Sequence, residues 1–108
     1  MPRASGPFNA HVTRGGQAST VRVAGEIDAA TAPELAAAIE HGSADGRTVL
    51  LDLDETTFID SAGLRIIMRA AQSLELTGSY LQLIAASPAA VQILHLTGIY
   101  DALKDPGR

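Results

Sequence analysis

The sequence predicts a small α/β domain, a mixed β-sheet of four to five strands faced by about four helices. Three observations lead there. Short β-rich runs alternate with stretches of helical periodicity along nearly the whole chain. Helix-start signals, at Thr31, Asp60 and Ser87, stand between those runs. At 108 residues, 46% of them apolar and only 4% aromatic, there is room for one core, built mainly of Ala, Val, Leu and Ile.

The elements follow in order. Residues 8–14 alternate in the strand manner, with Phe8, Ala10 and Val12 on one face, and Gly15-Gly16 supplies a turn. Ser19 to Gly25 reads as the returning strand of an antiparallel hairpin. Thr31 with Glu34 three residues on forms a capping box, and Pro33 falls in the first turn, where it is tolerated. That helix runs to His41-Gly42, with Leu35, Ala38 and Ile39 inward. Thr48 to Leu53 is almost continuously apolar, as a central strand covered on both faces would be. A second helix starts after Asp60 and ends near Gly78, with Leu64, Ile67, Met68, Ala71 and Leu74 on one face and Arg65, Arg69, Gln72 and Glu75 on the other. Tyr80 to Ile84 is a further strand. Ser87 caps a third helix with Pro88 at its first position, Val91, Ile93 and Leu94 among its buried residues and Gly98 as its stop. A fifth strand has room before a short last helix, Tyr100 to Lys104. The order β-β-α-β-α-β-α-(β)-α implies a mixed sheet with right-handed crossovers between parallel strands. Residues 1–108 form one domain, with residues 1–7 and 105–108 expected to be flexible ends.

Charge and composition remove several classes of function. Twelve acidic residues against eight basic ones give a formal charge of −4, with no basic stripe to follow a phosphate backbone, so nucleic acid is not an expected direct partner. No cysteine is present, which excludes disulfides, thiolate catalysis and cysteine-ligated zinc. The N-terminus lacks the apolar stretch of a signal peptide, and no run approaches the roughly twenty apolar residues of a membrane span. The expectation is a cytoplasmic protein with no membrane partner and no need of a cofactor or metal.

Two chemistries compete for the stretch from Leu50 to Met68, LLDLDETTFIDSAGLRIIM. Asp52 and Asp54 have the spacing of the nucleophile and the acid/base in a magnesium-dependent phosphatase of the haloacid dehalogenase type. That chemistry also needs a charge-balancing lysine and downstream acidic metal ligands. The one lysine is Lys104, and Ala85-Ala86-Ser87 stands where an acidic pair would follow the next strand. The other chemistry belongs to Ser61. If Asp60 is the N-cap, Ser61 is the first helical residue and its hydroxyl is free to face solvent, flanked by the small Ala62 and Gly63, as a kinase substrate requires. Spacing alone favours the other arrangement, with Ser61 as the cap itself and no regulatory meaning, although both residues are ordinary caps. Asp60-Ser61-Ala62-Gly63 is not the Gly-x-Ser-x-Gly elbow of a hydrolase, and no context marks His11, His41 or His95 as a base.

Three blocks, GEIDAATAPEL at 25–35, LLDLDETTFIDSAGL at 50–64 and VQILHLTGIYDAL at 91–103, resemble in order those of the STAS-domain anti-sigma factor antagonists, over about Phe8 to Leu103. The resemblance implies that Ser61 is the residue phosphorylated by the partner, an anti-sigma factor that is also a serine/threonine kinase of the GHKL ATPase type. It implies that Asp60 helps recognition, that Asp28 lies on a loop near the start of the second helix, and that Asp28, Thr31, Asp60 and Ser61 share one surface. The small Ala62 and Gly63, and Arg65 one turn on, are further candidates for partner binding by their place beside Ser61. Unmodified protein would bind the anti-sigma factor and free the sigma factor, phosphorylation would end binding, and a serine phosphatase would restore it. Two departures stand out. Ala62 replaces the hydroxyl residue that many members carry, and Asp54-Glu55 make the loop that precedes Asp60 more acidic. Arg65, Arg69, Gln72 and Glu75 could extend the interface or form a plain solvated face. A signalling or ligand-sensing STAS module within a larger complex is the alternative function, without a Gly-rich phosphate loop to support nucleotide binding.

Overall fold

The structure is a computed structural model that describes residues 8–107. Its elements are β1 (Asn9–Arg14), β2 (Ala18–Ile27), α1 (Ala32–Gly42), β3 (Thr48–Ile59), α2 (Ser61–Leu76), β4 (Leu81–Ala86), α3 (Pro88–Leu96) and α4 (Tyr100–Lys104), with one 3-10 turn at Ala44–Gly46. The four strands form one mixed sheet in chain order, β1 antiparallel to β2 and the β2, β3 and β4 ladders parallel. This is the small α/β domain that the sequence predicts. Among the described residues no fifth strand occurs, since Thr97 to Ile99 form a turn between α3 and α4. The expected flexible segment 1–7 lies outside the described residues, as does Arg108.

One face of the sheet carries the core. Val21, Val23 and Ile27 of β2, Val49, Leu51 and Leu53 of β3, and Leu81 and Leu83 of β4 are buried, together with Leu35 and Ile39 of α1, Ile67 and Leu74 of α2, and Leu94 of α3. Helix α1 packs over β1 and β2 and against α2, while α2 lies over β3 and β4. The alternating residues on the opposite face, Arg22, Leu50, Asp52 and Gln82, are exposed or half-buried. So β3 is an inner strand, fully covered on one face and partly covered on the other.

Both parallel strands that lead to the site run further than their sequence suggests. In β3 the buried positions go from Leu53 to Thr56 to Ile59, a spacing of three that hides the alternation of a strand. Two register shifts in the β2–β3 ladder, between Arg22 and Ala24 and between Gly25 and Glu26, make this possible. The buried Thr56 hydroxyl donates to Val23 O at 3.0 Å, and Ser87 Oγ donates to Thr56 O. Asp54, Glu55, Thr57 and Phe58 are left pointing to solvent. The expected acidic loop is therefore strand.

In α2 the inward stripe is Gly63, Ile67 and Leu74, with Leu64, Ile66, Ala70 and Ala71 packed beside it. Met68, placed inward by spacing, is 43% exposed. In α3, Ala90 and Leu94 are buried, Ile93 packs against the core, and Val91 is only half-buried. Ser87 caps α3 as expected, accepting from Ala90 N at 3.1 Å.

Candidate functional site

Because β2 and β3 are parallel and paired to their last residues, Ile27 opposite Ile59, the segments that leave them emerge side by side. Asp28 follows Ile27 and Asp60 follows Ile59. The backbone N–H of Asp60 donates to Ile27 O at 3.0 Å, which carries the strand pairing one residue into the turn. Ligand and partner sites in parallel sheets collect at this carboxyl edge.

Asp60 is the N-cap of α2. Its backbone is extended, with φ −100° and ψ −175°, and its Oδ1 accepts from Gly63 N at 2.9 Å. That settles the alternative that spacing left open: Ser61 is the first helical residue. Its side chain is exposed, and among the described residues its hydroxyl has no hydrogen-bond partner. A hydroxyl freed from capping, at the helix end where unpaired N–H groups face outward, is accessible and tolerant of added negative charge.

Gly63 explains how the helix start comes so close to the sheet. A Cβ there would stand 2.6 Å from Ile27 Cγ2, 2.9 Å from Ile27 O and 3.1 Å from Ile59 Cγ2. The residue is buried. It supports the site from beneath, and the close approach it permits is to β2 of the same chain. Ala62 is half-buried, and Arg65 is exposed one turn along α2.

The Asp28–Thr31 loop is held by its own side chains. Asp28 Oδ1 accepts from Ala30 N and Thr31 N, both at 3.0 Å. Thr31 Oγ1 donates to Glu26 O at 2.8 Å and accepts from Asp28 N at 2.9 Å. The capping box expected between Thr31 and Glu34 is absent: Thr31 precedes α1, but its hydroxyl turns back to β2, and no side chain caps the helix. The physical reason is the end of β2, whose Glu26 carbonyl and Asp28 N–H need partners once the ladder stops. Asp28 and Thr31 thus fix the loop beside Ser61, and the Thr31 hydroxyl is occupied in doing so.

Sequence reasoning passed over Phe58. It is 50% exposed at the end of β3 and lines an apolar hollow with Ala89, Ile93 and Leu96 of α3. An aromatic residue amid Asp, Glu and Thr was the available signal. On the other side of the helix start, Ser61, Leu64, Arg65, Met68, Thr97 and Ile99 line a groove between α2 and the α3–α4 turn.

Asp52 and Asp54 do not form the strand-end pair of a phosphatase. They sit inside β3, seven and five residues before its end at Ile59. Asp52 lies 3.5 Å from the Arg22 guanidinium and accepts from Asp54 N at 2.9 Å. Among the described residues no group of three or more His, Asp or Glu side chains is placed to hold a metal ion, and no helix is long and apolar enough to cross a membrane.

Residues 10–104 match the family model described as Mlab, STAS domain. An anti-sigma-B factor antagonist of Listeria monocytogenes is 36% identical over 83 residues, covering 76% of this chain and 73% of that protein. Its counterpart in Staphylococcus aureus is 27% identical over 84 residues, 77% of this chain and 78% of that one. The crystal structure of an anti-sigma factor antagonist from Mycobacterium paratuberculosis superposes with a TM-score of 0.77 at 31% identity, covering 95% of this chain and 87% of that one.

Proposed function

From the premise that this chain belongs to the STAS-domain family that includes the anti-sigma factor antagonists, we propose that it is itself such an antagonist, switched by phosphorylation of Ser61. Its partner in this reading is an anti-sigma factor serine/threonine kinase of the GHKL type, and the setting is the cytoplasm. Unmodified protein binds the anti-sigma factor through Asp28, Thr31, Asp60, Ser61, Ala62 and Arg65, with Gly63 beneath them, and the sigma factor is released.

The observation that carries the proposal is the placement of Ser61: first residue of α2, exposed, with the capping role filled by Asp60. In the kinase reaction the γ-phosphoryl group of ATP passes to Ser61 Oγ, the hydroxyl proton leaves to a base of the kinase, and ADP departs. The product carries roughly −1.5 to −2 of added charge at neutral pH. Asp60 already contributes a carboxylate next to it. Like charge brought into a desolvated interface costs several kcal/mol, on the order of a thousandfold in affinity, with no refolding required. A serine phosphatase that removes the group restores the binding form.

Titration calorimetry against an anti-sigma factor kinase of the GHKL type tests this. Wild type and Ser61→Ala bind, and Ser61→Asp binds weakly. Equal affinity in all three sinks the switch, and mass spectrometry that finds the phosphate on another residue after incubation with kinase and ATP refutes the assignment to Ser61.

A further inference from the structure

Arg65 stands one helical turn after Ser61, at the i+4 position, where side chains on an α-helix lie over one another with Cβ atoms about 5–6 Å apart. Both are exposed, and both line the groove between α2 and the α3–α4 turn. The ion pairs among the described residues are Arg22 with Asp52 and Arg47 with Asp45, so the Arg65 guanidinium has no acidic partner there. In a chain with a formal charge of −4 and twelve carboxylates, that is an unmet cation beside the serine. Arg69 lines the same groove one turn further on, and it also borders the groove between α1 and α2, near Glu40. Asp60, on the other side of Ser61, has Oδ1 committed to Gly63 N and is not free to swing toward Arg65 without uncapping the helix.

We propose that phosphorylated Ser61 is clasped by Arg65 of the same helix, so that the modification withdraws a cation from the partner-facing surface as well as adding an anion to it. This deepens the reading of Ser61 as the phosphorylation site and rests on it. The planar guanidinium matches two phosphate oxygens at once, a geometry that a lysine ammonium does not reproduce. In the unmodified protein Arg65 faces solvent and is available to an acidic group on the anti-sigma factor. In the modified protein it is occupied.

The clasp is measured on full-length protein with phosphoserine introduced at position 61 during translation, so the sample does not depend on any kinase. Phosphorus NMR follows the second proton dissociation of the phosphate as pH is varied. Relative to wild type, Arg65→Gln weakens that dissociation about threefold, the size expected for losing one exposed ion pair. Arg65→Lys retains part of the effect, and Arg69→Gln leaves it unchanged. Superimposable titrations for wild type and Arg65→Gln overturn the clasp, as does an Arg69→Gln effect equal to that of Arg65→Gln. Failure of the parent reading shows separately: a kinase and ATP that leave Ser61 unmodified refute the phosphorylation site and do not touch the NMR result.

Discussion

Gly63→Ala separates two physical effects of opposite sign. Glycine within a helix is about 1 kcal/mol less favourable than alanine, so propensity alone predicts a more stable protein. The structure predicts the reverse. The added methyl group would lie 2.6 Å from Ile27 Cγ2 and 2.9 Å from Ile27 O, against an ordinary contact of 3.4 Å or more. The side-chain methyl can rotate, but the carbonyl is backbone and accepts the Asp60 N–H at 3.0 Å. Relief of about 0.5–1 Å must therefore come from moving the start of α2 off the sheet. Overpacking of this kind costs about 1–3 kcal/mol and loss of the Asp60 bond adds about 1, so with the propensity gain of about 1 subtracted the net effect is a destabilisation of at least about 1 kcal/mol, and about 2 at mid-range. For a domain of this size the melting temperature falls by about 5–10 °C, read by calorimetry or by circular dichroism. Ile27→Ala in the same background removes the Cγ2 obstacle, so the double variant is more stable than the sum of the single losses predicts, by at least about 0.5 kcal/mol. A Gly63→Ala protein as stable as wild type, or more so, refutes the close approach on which the site is built.

Other outcomes follow from the same contacts. Asp60→Ala loses the α2 cap and about 1 kcal/mol in urea unfolding, whereas Asp60→Asn keeps an accepting oxygen and most of the stability while removing the charge. A drop in partner affinity with Asp60→Asn then reports the charge itself. Thr31→Val removes the hydroxyl that accepts from Asp28 N and donates to Glu26 O and lowers stability by about 1–3 kcal/mol, and Thr31→Ser restores it. Asp52→Asn changes unfolding free energy by no more than about 1 kcal/mol, because Arg22 is largely exposed, and leaves partner binding intact. Magnesium-dependent hydrolysis of a phosphate ester that Asp52→Asn abolishes is the result that would revive an enzyme.

The element order was legible because its signals are local. The Gly15-Gly16 turn, Pro33 in a first turn and the Ser87-Pro88 start each depend on a few adjacent residues, and each stands where expected. What eluded the sequence depends on partners far away in the chain. The continuation of β3 through Asp54 and Glu55 needs the bulged pairing with β2, and Thr56 reads as a loop residue until Val23 O is beside it. The Thr31-Glu34 spacing is a true local pattern that lost to the end of β2, which took the hydroxyl first. As between Asp60 and Ser61, either residue can cap and spacing alone leaned to Ser61. The ladder decides it, because pairing Asp60 N to Ile27 O holds Asp60 extended and leaves Ser61 as the first residue with helical geometry.

That constraint also bears on how a phosphate could act. The start of α2 is pinned at three points: the Asp60 N–H on Ile27 O, the Asp60 carboxylate on Gly63 N, and Gly63 itself against Ile27 and Ile59. Two side chains, Asp28 and Thr31, hold the neighbouring loop in the same way. A surface fixed by so many short contacts has few ways to rearrange when a group is added to Ser61, which points outward and takes part in none of them. On the proposed reading, the effect of phosphorylation at Ser61 is then expressed at the surface, as charge and bulk presented to a partner, and not as a change of fold. Amide hydrogen exchange tests that directly. Protein carrying phosphoserine at 61 should show unchanged protection in β2, β3 and the body of α2, while affinity for the anti-sigma factor falls by orders of magnitude. Loss of protection spreading into β2 or β3 would mean that the switch works by loosening the fold instead.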